Sequence, residues 1–187
     1  MRGNFNVDIP TPGSHMVLNA MAATIVGLRF NLSLDEIKKG IECFEPTKMR
    51  MAVSKTNSGI FLINDAYNAN PVSMKAALDV LSSAEGEKLA ILGDMFELGD
   101  FSMEMHSQVG EYAAEKNIDI LVAIGSYSKA MYKSALDKGI KKAYYFESVE
   151  NFIDEINNIV QKKDTILVKA SRGMHFEKIV DKIQEVE

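Results

Sequence analysis

The apolar positions fall into two patterns that meet near residue 46. Phe5, Val7 and Ile9 alternate with polar residues and run into Pro10 and Pro12, which predicts a short strand ending in a turn. A single strand without a partner beside it leads us to expect a piece of something larger. Ser14 to Leu28 then predicts a helix with Val17, Leu18, Met21, Ile25 and Leu28 on its apolar side. A second helix is predicted from Ser33 to Phe44, with Leu34, Ile37, Ile41 and Phe44 as its buried stripe. Ser33 and Glu36 have the spacing of a capping box, with Leu32 and Ile37 as the hydrophobic staple around it.

Pro46 ends the helical pattern and marks the expected boundary between residues 1–46 and 47–187. Beyond it, apolar runs alternate with amphipathic stretches. Strands are predicted around Met51–Lys55, Ile60–Ile63, Leu89–Leu92, Ile120–Ile124, Ala143–Phe146 and Thr165–Val168. Helices are predicted from Pro71, with Asn70 as its cap, and over Met103–Lys116, Ser126–Leu136, Val149–Val160 and Met174–Ile183. This alternation predicts an α/β fold: a Rossmann-like, doubly wound, mainly parallel sheet with helices on both faces, preceded by a short strand and two helices.

Composition narrows the function classes. The 187 residues are 47% hydrophobic and 25% charged, ordinary for a globular chain. A net charge of −5 without a basic block argues against a nucleic-acid partner. The apolar runs are too short to span a membrane. One cysteine, Cys43, excludes an internal disulfide and suits a reducing compartment, so a cytoplasmic location is expected. Cys43 is expected as a small core residue on its helix, and the eleven methionines as core filling, with Met49 and Met51 beside Arg50 as exceptions.

In an open parallel sheet, ligands bind at the carboxyl ends of the strands. The residues there are Asn64, Asp65, Tyr67, Asn68 and Asn70; then Gly93, Asp94, Glu97 and Gly99; then Gly125, Ser126 and Ser128; and last Lys169, Ser171 and Arg172. Turns and caps account for most of them one at a time. Tyr67 and Arg172 are not turn formers. His15 and Asn19 lie four apart, so one helix face can present both, either to a purine edge or phosphate or merely as a helix start and a solvated amide. No phosphate loop, dinucleotide fingerprint or nucleophile elbow occurs, and His15, His106 and His175 have no metal-ligand spacing.

Four stretches resemble the Mur ligases. Gly13-Ser14-His15-Met16-Val17-Leu18-Asn19-Ala20-Met21-Ala22-Ala23 is similar to the end of their central domain. Asn64-Asp65-Ala66-Tyr67-Asn68-Ala69-Asn70-Pro71-Val72-Ser73-Met74 is similar to the start of their C-terminal domain. Leu92-Gly93-Asp94-Met95-Phe96-Glu97-Leu98-Gly99 and Lys169-Ala170-Ser171-Arg172 resemble later motifs in the same order. The resemblance implies that residues 1–46 are the last piece of a central ATPase domain and residues 47–187 a whole C-terminal domain. The implied reaction is ATP-dependent: a peptide carboxylate of UDP-N-acetylmuramoyl-tripeptide is phosphorylated, and the amine of D-alanyl-D-alanine then displaces the phosphate, in peptidoglycan precursor synthesis. The phosphate loop, the UDP-binding domain and the magnesium ligands are expected outside this chain, which alone is expected to be inactive.

Site roles follow from the same resemblance. His15 and Asn19 match an adenine-side motif, with Met16 where an asparagine is usual. Arg50 matches an arginine that approaches the nucleotide phosphates, and Asp65 an aspartate near the ribose, which makes these two the implied catalytic and ATP-binding pair. Tyr67, Asn68, Asn70 and Ser73 are implied to face the dipeptide. Lys169, Ser171 and Arg172 are implied to meet its carboxylate, with Ala170 replacing a usual glycine. Asp94 and Glu97 are implied to orient these groups or hold the ammonium. Two other readings stand beside this one: a non-catalytic ligand-binding or interaction module of the same fold, and a ligase of the family with another amino acid or a folate as substrate. Apolar surface on the first two helices is expected to pack on the preceding domain and to promote self-association of the chain alone.

Overall fold

The computed structural model describes residues 4–162 and 164–186. The chain divides into two compact units, Met1–Thr47 and Lys48–Glu187.

The first unit holds helices α1 (His15–Arg29) and α2 (Leu34–Glu42). Both halves of the capping box form: the Ser33 hydroxyl accepts the Glu36 N–H, and the Glu36 carboxylate accepts the Ser33 N–H at 2.8 Å. The two helices meet where Gly27 gives α1 no side chain; a Cβ there would lie 2.7 Å from Ile37 Cγ1. Ile37 and Ile41 are buried.

Three expectations fail in this unit. Phe5, Val7 and Ile9 keep alternating burial but form no strand, because no described segment offers a ladder of hydrogen bonds to them. Phe44, expected in the buried stripe of α2, is exposed because that helix ends at Glu42, whereas Val17, Leu18, Met21, Ile25 and Leu28 form the exposed apolar surface expected on α1. Cys43 is exposed at the C-cap of α2, not a core residue, because the helix turns its buried stripe through Ile37 and Ile41 instead.

The second unit is a six-stranded sheet: β1 (Ala52–Lys55), β2 (Phe61–Asn64), β3 (Lys88–Gly93), β4 (Ile120–Ile124), β5 (Lys142–Phe146) and β6 (Thr165–Lys169). Their order is β1-β2-β6-β3-β4-β5, with β1 antiparallel to β2 and every other pair parallel. Helices α3 (Pro71–Ser82), α4 (Ser102–Glu115) and α5 (Ser128–Asp137) cover one face; α6 (Val149–Ile159) and α7 (Glu177–Gln184) cover the other. Alternate residues of one strand serve opposite cores. Leu89 and Ile91 join Phe152 and Phe176, while Ala90 and Leu92 join Met74 and Leu78. Met51 is buried in the second of these cores, so it fills space and is not a surface exception. The expected helix from Met174 starts later: Arg172–Met174 is a single 3₁₀ turn, and the left-handed backbone of His175 (φ 54°) separates it from α7.

After β5 the chain returns to insert β6 between β2 and β3. This is a switch point of strand order, and the crevice beyond the carboxyl ends of β2, β6 and β3 is where such sheets receive ligands.

Candidate functional site

Two turns close on each other at that edge. Residues 49–51 precede β1, and residues 65–68 follow β2. The Tyr67 N–H donates to the Met49 carbonyl at 3.0 Å, and the Met51 N–H donates to Asp65 Oδ1 at 3.0 Å. Met49 and Met51 both hold left-handed backbones (φ 65° and 47°), a conformation that costs a side-chain-bearing residue about 1 kcal/mol or more. Between them Arg50 is exposed, with its guanidinium carbon 4.3 Å from the centre of the Tyr67 ring. The Asp65 N–H continues the β2–β6 ladder by donating to the Val168 carbonyl.

Lys169, the last residue of β6, rises beneath these turns with 2% of its side chain exposed. Its ammonium donates to Asp65 Oδ2 at 2.5 Å and to the Asn68 carbonyl at 2.9 Å. Burial draws the ammonium below the usual lysine range; the Asp65 charge opposes this and the Arg50 guanidinium adds to it. Asn68 is exposed, its side chain accepting the Ala69 N–H. Asn70 and Ser73 sit at the start of α3 and satisfy each other as its capping box, so their first duty is to aim that helix.

A second group lies beyond β3 and β6. The Ser171 hydroxyl, buried, accepts the Phe96 N–H at 2.9 Å, and the Ser171 N–H donates to the Asp94 carbonyl. Arg172 is more than half exposed, with Glu177 at 3.5 Å as its only ion-pair partner among the described residues. The Asp94 carboxylate is enclosed: Oδ1 accepts both the N–H and the hydroxyl of Ser128 at 2.7 Å, and Oδ2 accepts the Tyr127 N–H at 3.3 Å. It is a helix cap, not an open group for an ammonium ion. Glu97 is exposed on the same loop.

His106 was not a candidate, and it proves fully buried behind this loop. Its Nδ1 donates to the Ser102 carbonyl at 2.6 Å and its Nε2 accepts the Met95 N–H at 2.9 Å, which requires the neutral ring. Other contributors are backbone groups, the Met51 N–H and the Asn68 carbonyl, which carry no side-chain signal in a sequence. His15 and Asn19 lie one turn apart on α1 in the first unit, with the Asn19 amide donating to the Met16 sulfur at 3.4 Å.

The site thus presents an exposed guanidinium, a carboxylate fixed at both oxygens, an aromatic ring and a second exposed guanidinium. That suits an anionic ligand carrying hydroxyls. Among the described residues no group of three His, Cys, Asp or Glu side chains gathers as a candidate metal site. Among them, no helix is long and apolar enough to cross a membrane.

A family model described as Mur ligase, glutamate ligase domain, matches residues 49–172. The UDP-N-acetylmuramoyl-tripeptide–D-alanyl-D-alanine ligase of Bacillus subtilis is 38% identical over 95% of this chain and 39% of that protein. Among solved structures, MurF from Acinetobacter baumannii superposes with a TM-score of 0.86 at 33% identity, covering 96% of this chain and 39% of that one. A MurF ligase from Thermotoga maritima, solved in complex with ADP, shares the fold with a TM-score of 0.81 at 22% identity, covering 97% of this chain and 40% of that one. The chain spans about two fifths of the length of the relatives it matches.

Proposed function

The chain belongs to the Mur ligase family, and from that premise we propose that it is the C-terminal part of an ATP-dependent ligase joining D-alanyl-D-alanine to UDP-N-acetylmuramoyl-tripeptide. Residues 47–187 serve as the C-terminal domain and residues 1–46 as the end of the central ATPase domain. The observation that carries this reading is the junction of Arg50, Asp65 and Tyr67 at the switch point, in a chain 38% identical to such a ligase along 95% of its length.

A carboxylate is a poor acyl donor. Transfer of the terminal phosphoryl group of ATP to the tripeptide carboxylate makes an acyl phosphate; attack by the dipeptide amine, with loss of a proton, then expels phosphate. Such chemistry is helped mainly by placement and by neutralising charge. Arg50 neutralises phosphate charge, which its exposed and planar guanidinium suits. Asp65 accepts from the ribose hydroxyls through lone pairs not used by Met51 and Lys169. Tyr67 and Asn68 line the dipeptide side, with Asn70 and Ser73 setting the start of α3 behind them. Arg172 meets the dipeptide carboxylate, a geometry that guanidinium groups favour, while Ser171 fixes the loop beside it. His15 and Asn19 are assigned to the adenine on the motif alone. Magnesium is supplied by residues outside this chain.

The test is a chimera in which residues 1–187 replace the matching C-terminal part of the Bacillus subtilis relative. Product that depends on both ATP and D-alanyl-D-alanine supports the reading. A folded chimera that ligates a different amino acid, or nothing while the parental ligase is active, overturns it.

A further inference from the structure

The candidate carboxylate-binding residues at the end of β6 do not stand alike. Arg172 is exposed, whereas Lys169 is as enclosed as the core residues around it. A buried ammonium needs its partners, because removing one leaves an uncompensated charge in a poorly hydrated place. Lys169 has two: the Asp65 carboxylate and the Asn68 carbonyl. These partners are the first residue of the 65–68 turn and its last. Lys169 therefore spans that turn from below, while the Met51 N–H and the Met49 carbonyl hold it from the side.

From this arrangement we infer that Lys169 is a positioning residue that acts through Asp65 and Asn68, and that it is not a ligand of the substrate carboxylate. This rests on the ligase reading for the identity of the substrates, but not for the geometry. Freeing Lys169 for a substrate would strip Asp65 of its counter-ion and the Asn68 carbonyl of its donor at once. Keeping it in place fixes the Asp65 oxygens and, through the paired turns, the Arg50–Tyr67 stack. Its effect should fall mainly on the nucleotide side through Asp65 and Arg50, and more weakly on the dipeptide side through Asn68 and Tyr67, while Arg172 carries the dipeptide carboxylate.

Two measurements test this. In the chimera, Lys169→Met should lower kcat/KM for ATP about tenfold or more, the scale expected when a reacting group is displaced by an ångström or less. Its KM for D-alanyl-D-alanine should rise by clearly less than the loss on the ATP side, whereas Arg172→Gln should raise that KM about tenfold with little effect on ATP. A raised KM for the dipeptide with unchanged ATP kinetics in Lys169→Met would make Lys169 a substrate ligand, and no change in either would show that it positions nothing. In the 187-residue chain alone, amide NMR of Lys169→Met should move Met51, Tyr67 and Asn68 and leave the β4–α5 region in place. Unmoved Met51 and Asn68 amides would overturn the inference without reference to any substrate. Should that variant not fold, Lys169→Gln, which retains a donor for the Asn68 carbonyl while removing the charge, is read the same way. A chimera inactive with every wild-type residue present counts against the ligase reading, and the NMR result still decides the role of Lys169.

Discussion

Asp94 Oδ1 accepts both the backbone N–H and the hydroxyl of Ser128 at 2.7 Å, tying the loop after β3 to the first turn of α5. Two neighbouring strand ends are thereby locked together. Gly125 makes the approach possible: its backbone is left-handed (φ 117°), and a Cβ there would fall 2.6 Å from the Asp94 carboxyl carbon. The same loop reaches β6 through the Phe96 N–H on Ser171.

Replacing Asp94 with Ala should therefore cost about 2 kcal/mol, since it removes a helix cap and leaves buried N–H groups without an acceptor. Urea unfolding of the 187-residue chain measures this. A loss below about 0.5 kcal/mol, the range of ordinary surface changes, would show that the cap is dispensable.

His106 makes stability depend on pH. Burial holds its imidazole below the ordinary histidine range, although the Ser102 carbonyl and the Asp94 carboxylate pull the other way. A depressed histidine binds fewer protons folded than unfolded. Its contribution is therefore complete above about pH 6.5, the unfolded value, and is lost as pH falls towards the folded value. Protonation would also turn Nε2 from acceptor to donor against the Met95 N–H. Urea midpoints should fall between pH 7 and pH 5, and His106→Gln should flatten that slope. Nitrogen NMR should show a proton on Nδ1 and none on Nε2 at pH 7.

Glycine has opposite meanings at two helical positions. A Cβ on Gly110 of α4 would lie 2.1 Å from the Met131 carbonyl oxygen of α5, so Gly110→Ala forces those helices apart and should cost about 2 kcal/mol or more. Gly40 of α2 is exposed with open space around it, and Gly40→Ala should stabilise its helix by about 0.5–1 kcal/mol. Calorimetry on both variants checks the signs, and a stable Gly110→Ala protein would contradict the close packing described for α4 and α5.

Arg50→Lys keeps the charge but loses the planar donors and the stacking on Tyr67. In the chimera it should lower kcat/KM for ATP at least about tenfold, the worth of one charge-assisted hydrogen bond. Full activity with lysine would mean that a point charge suffices there and that the stack has no part in presenting the group.

Much of this was legible in advance where one local rule settles the matter. Ser33 with Glu36, and Asn70 ahead of Pro71, announce helix starts because the partners lie three residues apart or fewer. Five strands of the sheet were legible because each carries a short apolar run between turn residues, and β1 from the spacing of Met51, Val53 and Lys55. Phe5 to Ile9 misled, because alternation reports which side chains face inward and not whether a neighbouring strand exists to pair with. Phe44 misled for a related reason: periodicity counted it in the buried stripe of α2, and the helix ends at Glu42 before reaching it.

The sequence by itself determined the alternation of strands and helices, the caps, and the gathering of polar residues at the carboxyl ends of the strands. These depend on interactions within a few residues, or on an edge common to every parallel sheet. Only the tertiary structure decided which of those residues remain open. Lys169 meets Asp65 across 104 positions and Phe96 meets Ser171 across 75. Three charged residues that read alike along the chain, Asp94, Lys169 and Arg172, thus part company. Two are enclosed by distant partners that satisfy them, and the third is left facing water, because burial and pairing are set by what the fold brings alongside.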